Sequence, residues 1–156
     1  MASRGKMSVI ITTRNEEGNI RPCLESLLKL DFPKGDLEII VVDNNSKDAT
    51  KGIARSYTDK VYDFGPERAA QRNFGARQAT GKYILYLDAD MILSNNVIFE
   101  CVQICEESGD IALYIPERII GNGFWIRVRD FERSFYNTTV VDAARFIRKD
   151  KFLEVG

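Results

Sequence analysis

The chain has 156 residues, of which 44% are hydrophobic and 29% are charged. This length fits one ordinary domain with a buried core, and the composition is unlike that of disordered chains. Lysine and arginine number 22 against 23 aspartates and glutamates, so the chain lacks the basic excess typical of nucleic-acid binding. Histidine is absent, which excludes a histidine general base and most zinc sites. Any metal would therefore have oxygen ligands, which favours Mg²⁺ or Mn²⁺.

The hydrophobic pattern predicts strands alternating with helices along most of the chain. Short apolar runs rich in β-branched residues predict strands at 8–12, 37–42, 60–63, 83–87 and 111–115. Helical spacing of apolar residues predicts helices at 20–28, around 53–57, at 68–79 and at 95–107. Ser46 or Asp48 is the expected cap of the second helix. A strand at 143–147 and a helix from Lys149 are expected after an aromatic segment.

Strand and helix alternate four times, which predicts an α/β fold: a mostly parallel central sheet flanked by helices, with right-handed crossovers. In such sheets ligands bind beyond the carboxyl ends of the strands. Polar clusters at 12–16, 43–46 and 88–90 each follow a predicted strand. The three clusters are therefore expected to converge on one edge of the sheet.

The third cluster contains Asp88-Ala89-Asp90 directly after the clearest strand. Two carboxylates at this spacing can face one divalent cation, or a cation and a ribose. The structural alternative is a turn in which each aspartate bonds to its own backbone. The position after a buried strand, level with two other polar strand ends, favours the ligand site.

The other polar groups each have two interpretations. Asp43 and Asn44 can read a base edge or ribose hydroxyls, or they can simply begin a well-capped helix. Arg68 and Arg72 are four residues apart and share a helix face. A guanidinium pair on that face can neutralise a diphosphate, or it can be an ordinary solvated basic surface.

Two common phosphate-binding motifs are missing from the sequence. Neither G-x-x-x-x-G-K-[ST] nor a G-x-G-x-x-G after the first strand occurs, which disfavours Walker-type ATPases and nicotinamide dehydrogenases. A nucleotidyltransferase would need a glycine-rich loop with a basic residue after the first strand. The loop here reads TTRNEEG, which disfavours that class as well.

Four ordered segments resemble glycosyltransferase family 2, whose fold is the GT-A type. They are 9–16 (VIITTRNE), 41–48 (VVDNNSKD), 70–77 (AQRNFGAR) and 83–90 (YILYLDAD). The segment 143–156 (AARFIRKDKFLEVG) resembles the acceptor-side part of the family. The resemblance implies inverting, metal-dependent sugar transfer from a nucleotide-diphosphate sugar, UDP- or GDP-linked, to an unknown acceptor.

The resemblance also implies roles for single residues. Nucleotide-sugar contacts are implied for Thr12, Arg14, Glu16, Asp43, Asn44, Arg68, Arg72 and Asp88. Asp90, together with Asp88, is implied to hold Mn²⁺ or Mg²⁺, Asp90 being the more direct ligand. Thr12, Arg14 and Asn44 depart from the family's frequent proline, aromatic residue and aspartate.

The catalytic base is the weakest part of the assignment, because the family's usual segment for it would begin just beyond Gly156. Glu117 and Asp142 are the remaining acidic candidates. We therefore expect a chain truncated at its C-terminus, with 1–7 a leader, 8–115 the nucleotide-sugar-binding core and 116–156 an incomplete acceptor-side segment. The alternative function is a nucleotide-sugar-binding module without turnover.

The aromatic segment 124–136 predicts either an acceptor-side or membrane-facing surface or a helix packed on the sheet. Its amphipathic pattern places Trp125, Val128, Phe131 and Phe135 on one helix face. Related enzymes often use lipid-linked acceptors, and exposed apolar surface would favour a homo-oligomer. No apolar run approaches the roughly 20 residues that span a bilayer. We expect a cytoplasmic location, or the cytoplasmic face of a membrane for a longer natural chain.

Overall fold

The fold is built on one six-stranded sheet with helices on both faces. The computed structural model describes residues 6–118, 120–121, 127–128, 131 and 145–155. The strands are β1 Met7–Thr13, β2 Leu37–Asp43, β3 Val61–Asp63, β4 Tyr83–Asp88, β5 Ala112–Leu113 and β6 Phe146–Arg148. The helices are α1 Ile20–Leu28, α2 Thr50–Arg55, α3 Arg68–Gln78, α4 Val97–Ser108 and α5 Lys149–Val155. A 3-10 turn at Lys34–Asp36 precedes β2.

Four of the strands form the predicted parallel sheet, in the order β3-β2-β1-β4. β1 is the central strand, and all seven of its residues are buried, because helices cover both faces. Thr13 pairs with Asp43 of β2, and Thr12 pairs with Asp88 of β4. The carboxyl ends of β1, β2 and β4 are therefore level, as the sequence predicts for the three polar clusters.

The remaining two strands are antiparallel and extend the sheet beyond β4. β6 pairs with β4, and β5 pairs with β6 at the edge. The strand predicted at 111–115 is thus real but only two residues long, and it lies outside the parallel part. Strand–helix alternation could not reveal this, because β6 is inserted between β4 and β5 from much later in the chain.

The two faces of the sheet form separate apolar cores. Val9 and Ile11 of β1 pack with α1, α2 and α4, whereas Ile10 packs with α3 on the opposite face. Close approach of α3 depends on Gly75, since a Cβ there would lie 2.5 Å from Ile10 Cγ2. This second packing holds α3 against the carboxyl half of β1 and β2.

Two details of the expected domain limits and caps differ in the structure. Met7, expected in the leader, begins β1 and is fully buried. The N-cap of α2 is Ala49, with no side-chain cap bond, because Ser46 bonds to Asp43 instead. Asp48 accepts a hydrogen bond from the Thr50 N–H at 3.0 Å.

Much of the predicted aromatic segment lies outside the described residues. Trp125 and Phe135 lie outside the described residues, and so does Asp142. Phe131 is described and is 64% exposed. No helix in the described part of the chain combines the length and the apolar character needed to cross a membrane.

The contact between Gly81 and β1 gives a test of the fold. A Cβ at Gly81 would lie 2.7 Å from Ser8 N and 2.8 Å from Lys6 O, so Gly81→Ala must displace backbone. We expect the free energy of unfolding to fall by about 1–3 kcal/mol, the range for overpacking. Chemical denaturation measures this change.

Gly52→Ala is the matched control, because Gly52 lies within α2 and nothing is within 4 Å of its Cβ position. We expect this variant to be stabilised by about 0.5–1 kcal/mol, the helix preference of alanine over glycine. Equal effects of the two substitutions would contradict the packing described for Gly81.

Candidate functional site

A polar cleft lies at the carboxyl ends of β1, β2 and β4. Its volume is about 330 Å³. The residues that line it are Thr12, Thr13, Arg14, Glu16, Asn44, Pro66, Arg68, Gln71, Asp88, Ala89 and Asp90. The structure thus brings together seven of the nine predicted nucleotide-sugar and metal residues. Arg72 contacts the cleft through Asp88, and Asp43 lies outside its lining.

A larger hollow, of about 480 Å³, lies at the opposite end of the sheet, around Lys6, Leu37 and Glu38. The Glu38 carboxylate in its lining is already hydrogen-bonded. Glu38 accepts hydrogen bonds from Ser8, Lys60 and Thr80. Desolvation opposes ionisation there, but these hydrogen bonds outweigh it and lower the pKa of Glu38. Glu38 therefore joins β2 to its neighbours in this hollow, and the cleft is the better ligand site.

The loop after β1 is fixed to the loop after β2. Asn15 adopts φ +53°, a left-handed conformation that asparagine tolerates. Its N–H donates to Ser46 Oγ at 2.7 Å, and its Oδ1 accepts from the Lys47 N–H at 2.8 Å. The Glu16 N–H donates to Thr50 Oγ1 at 2.8 Å. These bonds hold Arg14 and Glu16 at the rim of the cleft without any ligand.

Asp43 is used inside this loop structure. It is fully buried, and its Oδ1 accepts the Ser46 N–H at 2.7 Å while Oδ2 accepts the Ser46 hydroxyl. Ser46 therefore links Asp43 to Asn15. Contact between Asp43 and a nucleotide stays a prediction, and in this arrangement Asp43 supports the loop.

Asn44 is the residue after β2 that faces the cleft. Its backbone N–H donates to Thr13 O at 2.9 Å, and its Nδ2 donates to Pro66 O at 2.6 Å. A Cβ at Gly65 would lie 2.3 Å from Asn44 Oδ1, so glycine at this position makes room for the amide. The Asn44 side chain is thereby held in one orientation over the cleft.

Asp88, the last residue of β4, is surrounded by donors. Its side chain is 17% exposed. Thr12 Oγ1 donates to Asp88 Oδ1 at 3.1 Å, and an Arg72 terminal nitrogen lies 3.3 Å from the same oxygen. Terminal nitrogens of Arg68 and Arg145 each lie 3.8 Å from Oδ2. Arg68 and Arg72 therefore face the cleft rather than forming a purely solvated surface.

Asp90 differs from Asp88 in its surroundings. Its side chain is exposed, and within the described part of the chain it has no hydrogen bond or ion pair. Ala89 between the two aspartates is buried, and the Met91 N–H closes a turn onto Asp88 O at 3.0 Å. The free carboxylate of Asp90 is thus presented to the cleft.

These two aspartates fit a divalent cation that is shared with a phosphate ligand. Among residues 6–118, 145–155 and the few described between them, no group of three or more carboxylate or thiol side chains forms a preformed metal site. Mg²⁺ typically uses only one or two protein carboxylates, because substrate phosphates and water complete its shell. Asp90 is available for this role, whereas Asp88 is already paired with arginines.

Cys23 lies directly below this turn and is fully buried. Its thiol contacts Asp88 O at 3.9 Å. Burial, and then the negative charges of Asp90 and Asp88, raise the pKa of the Cys23 thiol to about 12. The thiol is therefore neutral at physiological pH.

Sequence reasoning missed two residues that shape the site, Gln71 and Arg145. Gln71 Nε2 donates to Val42 O at 2.7 Å and to Thr13 O at 3.2 Å, which ties α3 to the ends of two strands. Its position beside Arg72 in the AQRNFGAR segment was an available signal. Arg145 gave no signal, because only the pairing of β6 with β4 brings it near Asp88.

The two candidates for the catalytic base are not equivalent. Asp142 lies outside the described residues. The Glu117 carboxylate accepts a hydrogen bond from Arg145 Nε, so it is engaged by a guanidinium in this structure. A general base must offer an oxygen to the proton it removes, and Glu117 Oε1 already accepts from Arg145 here.

This sheet, with its cleft at the parallel strand ends and its Asp-x-Asp turn after β4, defines a GT-A type nucleotide-diphospho-sugar transferase fold. The family model described as Glycosyl transferase family 2 matches residues 8–152. The chain therefore belongs to glycosyltransferase family 2.

Curated relatives share sequence with most of the chain. The poly(ribitol-phosphate) beta-N-acetylglucosaminyltransferase TarS of Staphylococcus aureus is 32% identical over 128 residues, which are 76% of this chain and 22% of that protein. The poly(ribitol-phosphate) beta-glucosyltransferase of Bacillus spizizenii is 33% identical over 129 residues, 76% of this chain and 20% of that protein. The chain spans about a fifth of the length of these two relatives.

Solved structures agree with the fold. Staphylococcus aureus TarS 1–349 in complex with UDP-GlcNAc has a TM-score of 0.66 and 32% identity, covering 76% of this chain and 36% of that one. The mannosyltransferase PcManGT from Pyrobaculum calidifontis, in complex with GDP-Man and Mn²⁺, has a TM-score of 0.77 and covers 99% of this chain and 48% of that one. At 20% identity this second match supports the fold alone.

Gln71 provides a test of how the cleft is held. Gln71→Met keeps the approximate size of the side chain but removes the amide donor to Val42 O and Thr13 O, of which Thr13 O keeps the Asn44 N–H. We expect the free energy of unfolding to fall by about 1–3 kcal/mol, the cost of an unsatisfied buried polar group. The control is Gln78→Met, since Gln78 is exposed on the same helix. Urea denaturation of both variants measures the difference, and similar small effects would contradict the role given to Gln71.

Proposed function

We propose that this chain binds a nucleotide-diphosphate sugar together with Mn²⁺ or Mg²⁺ and transfers the sugar, with inversion, to an acceptor hydroxyl. The observation that carries the proposal is the cleft, where the Asp88-Ala89-Asp90 turn meets Arg68, Arg72 and Asn44. The Staphylococcus aureus TarS structure with UDP-GlcNAc supports UDP as the nucleotide, and GDP is kept as the second candidate.

The diphosphate end of the donor is assigned to the arginines around Asp88. Guanidinium groups bind phosphate oxygens through paired N–H donors. Arg72 is half-buried and Arg68 is largely exposed, and both lie within 4 Å of Asp88. A diphosphate entering the cleft would compete with Asp88 for these donors.

The metal is assigned to Asp90, with Asp88 as the second carboxylate. Bound there with the donor, the cation would stabilise the negative charge of the departing diphosphate. Asp90 is exposed and unpaired within the described residues, which suits direct coordination. Asp88 keeps the arginines oriented, and its contact with a metal or a ribose remains part of the proposal.

The nucleoside end is assigned to the rim between β1 and β2. Asn44 presents a fixed amide, and Arg14, Glu16 and Thr12 lie beside it. Amide groups can both donate to and accept from a base edge, so this set accommodates uracil or guanine. Asp43 supports this rim through Ser46, as described above.

Inversion requires attack on the anomeric carbon from the face opposite the diphosphate, while a carboxylate removes the acceptor proton. Glu117 is bound by Arg145, which favours a second candidate function, a donor-binding module without turnover. A nucleotidyltransferase has less support, because the loop after β1 contains no glycine-rich phosphate cradle.

The acceptor is proposed by analogy alone. One relative is named GalNAc(5)-diNAcBac-PP-undecaprenol beta-1,3-glucosyltransferase, from Campylobacter jejuni, at 31% identity over 112 residues. A lipid-linked acceptor is therefore one candidate, and a polyol-phosphate polymer is another, from the names of the relatives above. A homo-oligomer formed through exposed apolar surface stays a prediction.

Asp90→Asn tests the metal assignment. The variant keeps the size of the side chain but loses the charge that the cation needs. We expect UDP or GDP to bind the wild type more tightly with Mn²⁺, and Asp90→Asn to lose more than about tenfold of the metal-dependent affinity, as for a charge-assisted contact. Isothermal titration calorimetry with and without Mn²⁺ measures this.

Asp59→Asn is the control, because Asp59 is exposed and lines the hollow at the opposite end of the sheet. Metal-independent binding of both nucleotides would overturn the metal assignment, and no binding of either would overturn the proposed donor site. Assays of donor hydrolysis and of transfer to added acceptors then separate an enzyme from a binding module.

A further inference from the structure

Arg145 lies at the cleft although it belongs to the C-terminal part of the chain. Its backbone is fixed in the sheet: its carbonyl accepts the Tyr86 N–H at 3.0 Å, and its own N–H donates to Leu113 O at 3.2 Å. Its side chain is 19% exposed. The Arg145 backbone is therefore hydrogen-bonded to a strand on each side. A side chain on such a fixed backbone can make precise ligand contacts.

The guanidinium of Arg145 bridges two carboxylates. Its Nε donates to Glu117, and a terminal nitrogen lies 3.8 Å from Asp88 Oδ2. Arg68 approaches the same Oδ2 at the same distance. At 3.8 Å neither contact is a hydrogen bond, so Asp88 attracts both guanidinium groups without satisfying their donors.

Three guanidinium groups converge on the Asp88 carboxylate. Arg68, Arg72 and Arg145 all lie within 4 Å of the Asp88 carboxylate, and Glu117 is the only further counter-ion that an ion pair of the described residues adds. The Asp88 carboxylate is thus shared by three guanidinium groups, and among the described residues Glu117 pairs with one of them, Arg145. Guanidinium groups that share one carboxylate repel one another, and an additional anion would relieve that repulsion.

We propose that Arg145 is the third diphosphate-binding arginine of the donor site, and that Glu117 is a counter-ion which the diphosphate displaces from it. The inference rests on the proposed donor function. In this proposal Glu117 competes with the diphosphate for Arg145 and so weakens diphosphate binding. Removing the Glu117 charge should leave the positive charge of Arg145 less neutralised and its N–H donors available to the ligand.

A structural role for the same ion pair gives a different expectation. If Glu117 and Arg145 only join β6 to the segment after β5, loss of either partner lowers stability and leaves or lowers anion affinity. The proposal instead expects opposite signs for the two substitutions. A gain in affinity cannot result from damage to the fold.

The experiment measures binding of UDP, UMP and inorganic pyrophosphate by calorimetry in the presence of Mg²⁺. We expect Arg145→Met to weaken UDP and pyrophosphate binding by about tenfold, the loss of one charge-assisted contact. UMP, which lacks the second phosphate, should be affected less. We expect Glu117→Gln to tighten UDP and pyrophosphate binding by about threefold, the scale of a partly exposed ion pair. Arg145→Lys should recover part of the loss, and the double variant should match Arg145→Met.

Arg148 and Asp150 form the matched control pair. Arg148 also belongs to β6, and it bonds to Asp150 at 3.1 Å on the exposed surface away from the cleft. Arg148→Met and Asp150→Asn should leave the affinities unchanged. Thermal unfolding of every variant checks that the fold is retained.

The outcomes separate the two proposals. If the wild type binds UDP but Glu117→Gln binds it no more tightly, or Arg145→Met binds it equally well, the role of Arg145 is wrong and the donor site stands. If pyrophosphate binding follows the expected signs while neither UDP nor GDP binds, the anion site stands and the nucleotide-sugar function is wrong. Absence of all binding overturns both.

Discussion

The parallel register of β1 with β2 and β4 is the constraint on which the site depends. Because Thr13 pairs with Asp43 and Thr12 pairs with Asp88, three strand ends stop at one level. The loops that follow must then share a small volume, and they satisfy their backbone groups through one another. A shift by one residue would turn Thr12 and Asp88 to opposite faces of the sheet.

The strand register also determines the charges around Asp88. A carboxylate that is only 17% exposed needs partners, and three arginines and Thr12 provide them. Two of these arginines come from α3, whose position Gln71 fixes against the strand ends. These arginines stabilise the partly buried charge of Asp88. They also concentrate positive charge where a diphosphate would bind.

The sequence predicted those parts that follow from local pattern. Strands such as 83–87 and the helix at 68–79 have strong periodicity, and the structure places them within one or two residues. The convergence of Asp88, Asp90 and Asn44 follows from the general rule for parallel sheets. The burial of Asp43 did not follow, because its bonds to Ser46 depend on the left-handed turn through Asn45 (φ +53°). Ser46 does not cap α2 for the same reason, whereas Asp48, the other expected cap, accepts the Thr50 N–H.

The direction of β6 explains how the C-terminal part of the chain reaches a site built by the N-terminal part. Leu85 pairs with Phe146 in antiparallel register, and the Tyr86 N–H extends this pairing to Arg145. An antiparallel strand enters the sheet at the carboxyl end of its neighbour, so the residue preceding β6 lies beside the cleft. In a parallel strand that residue would lie at the opposite end, far from Asp88. Local pattern does not encode strand direction at an edge, and hence Arg145 could be recognised only in the folded chain.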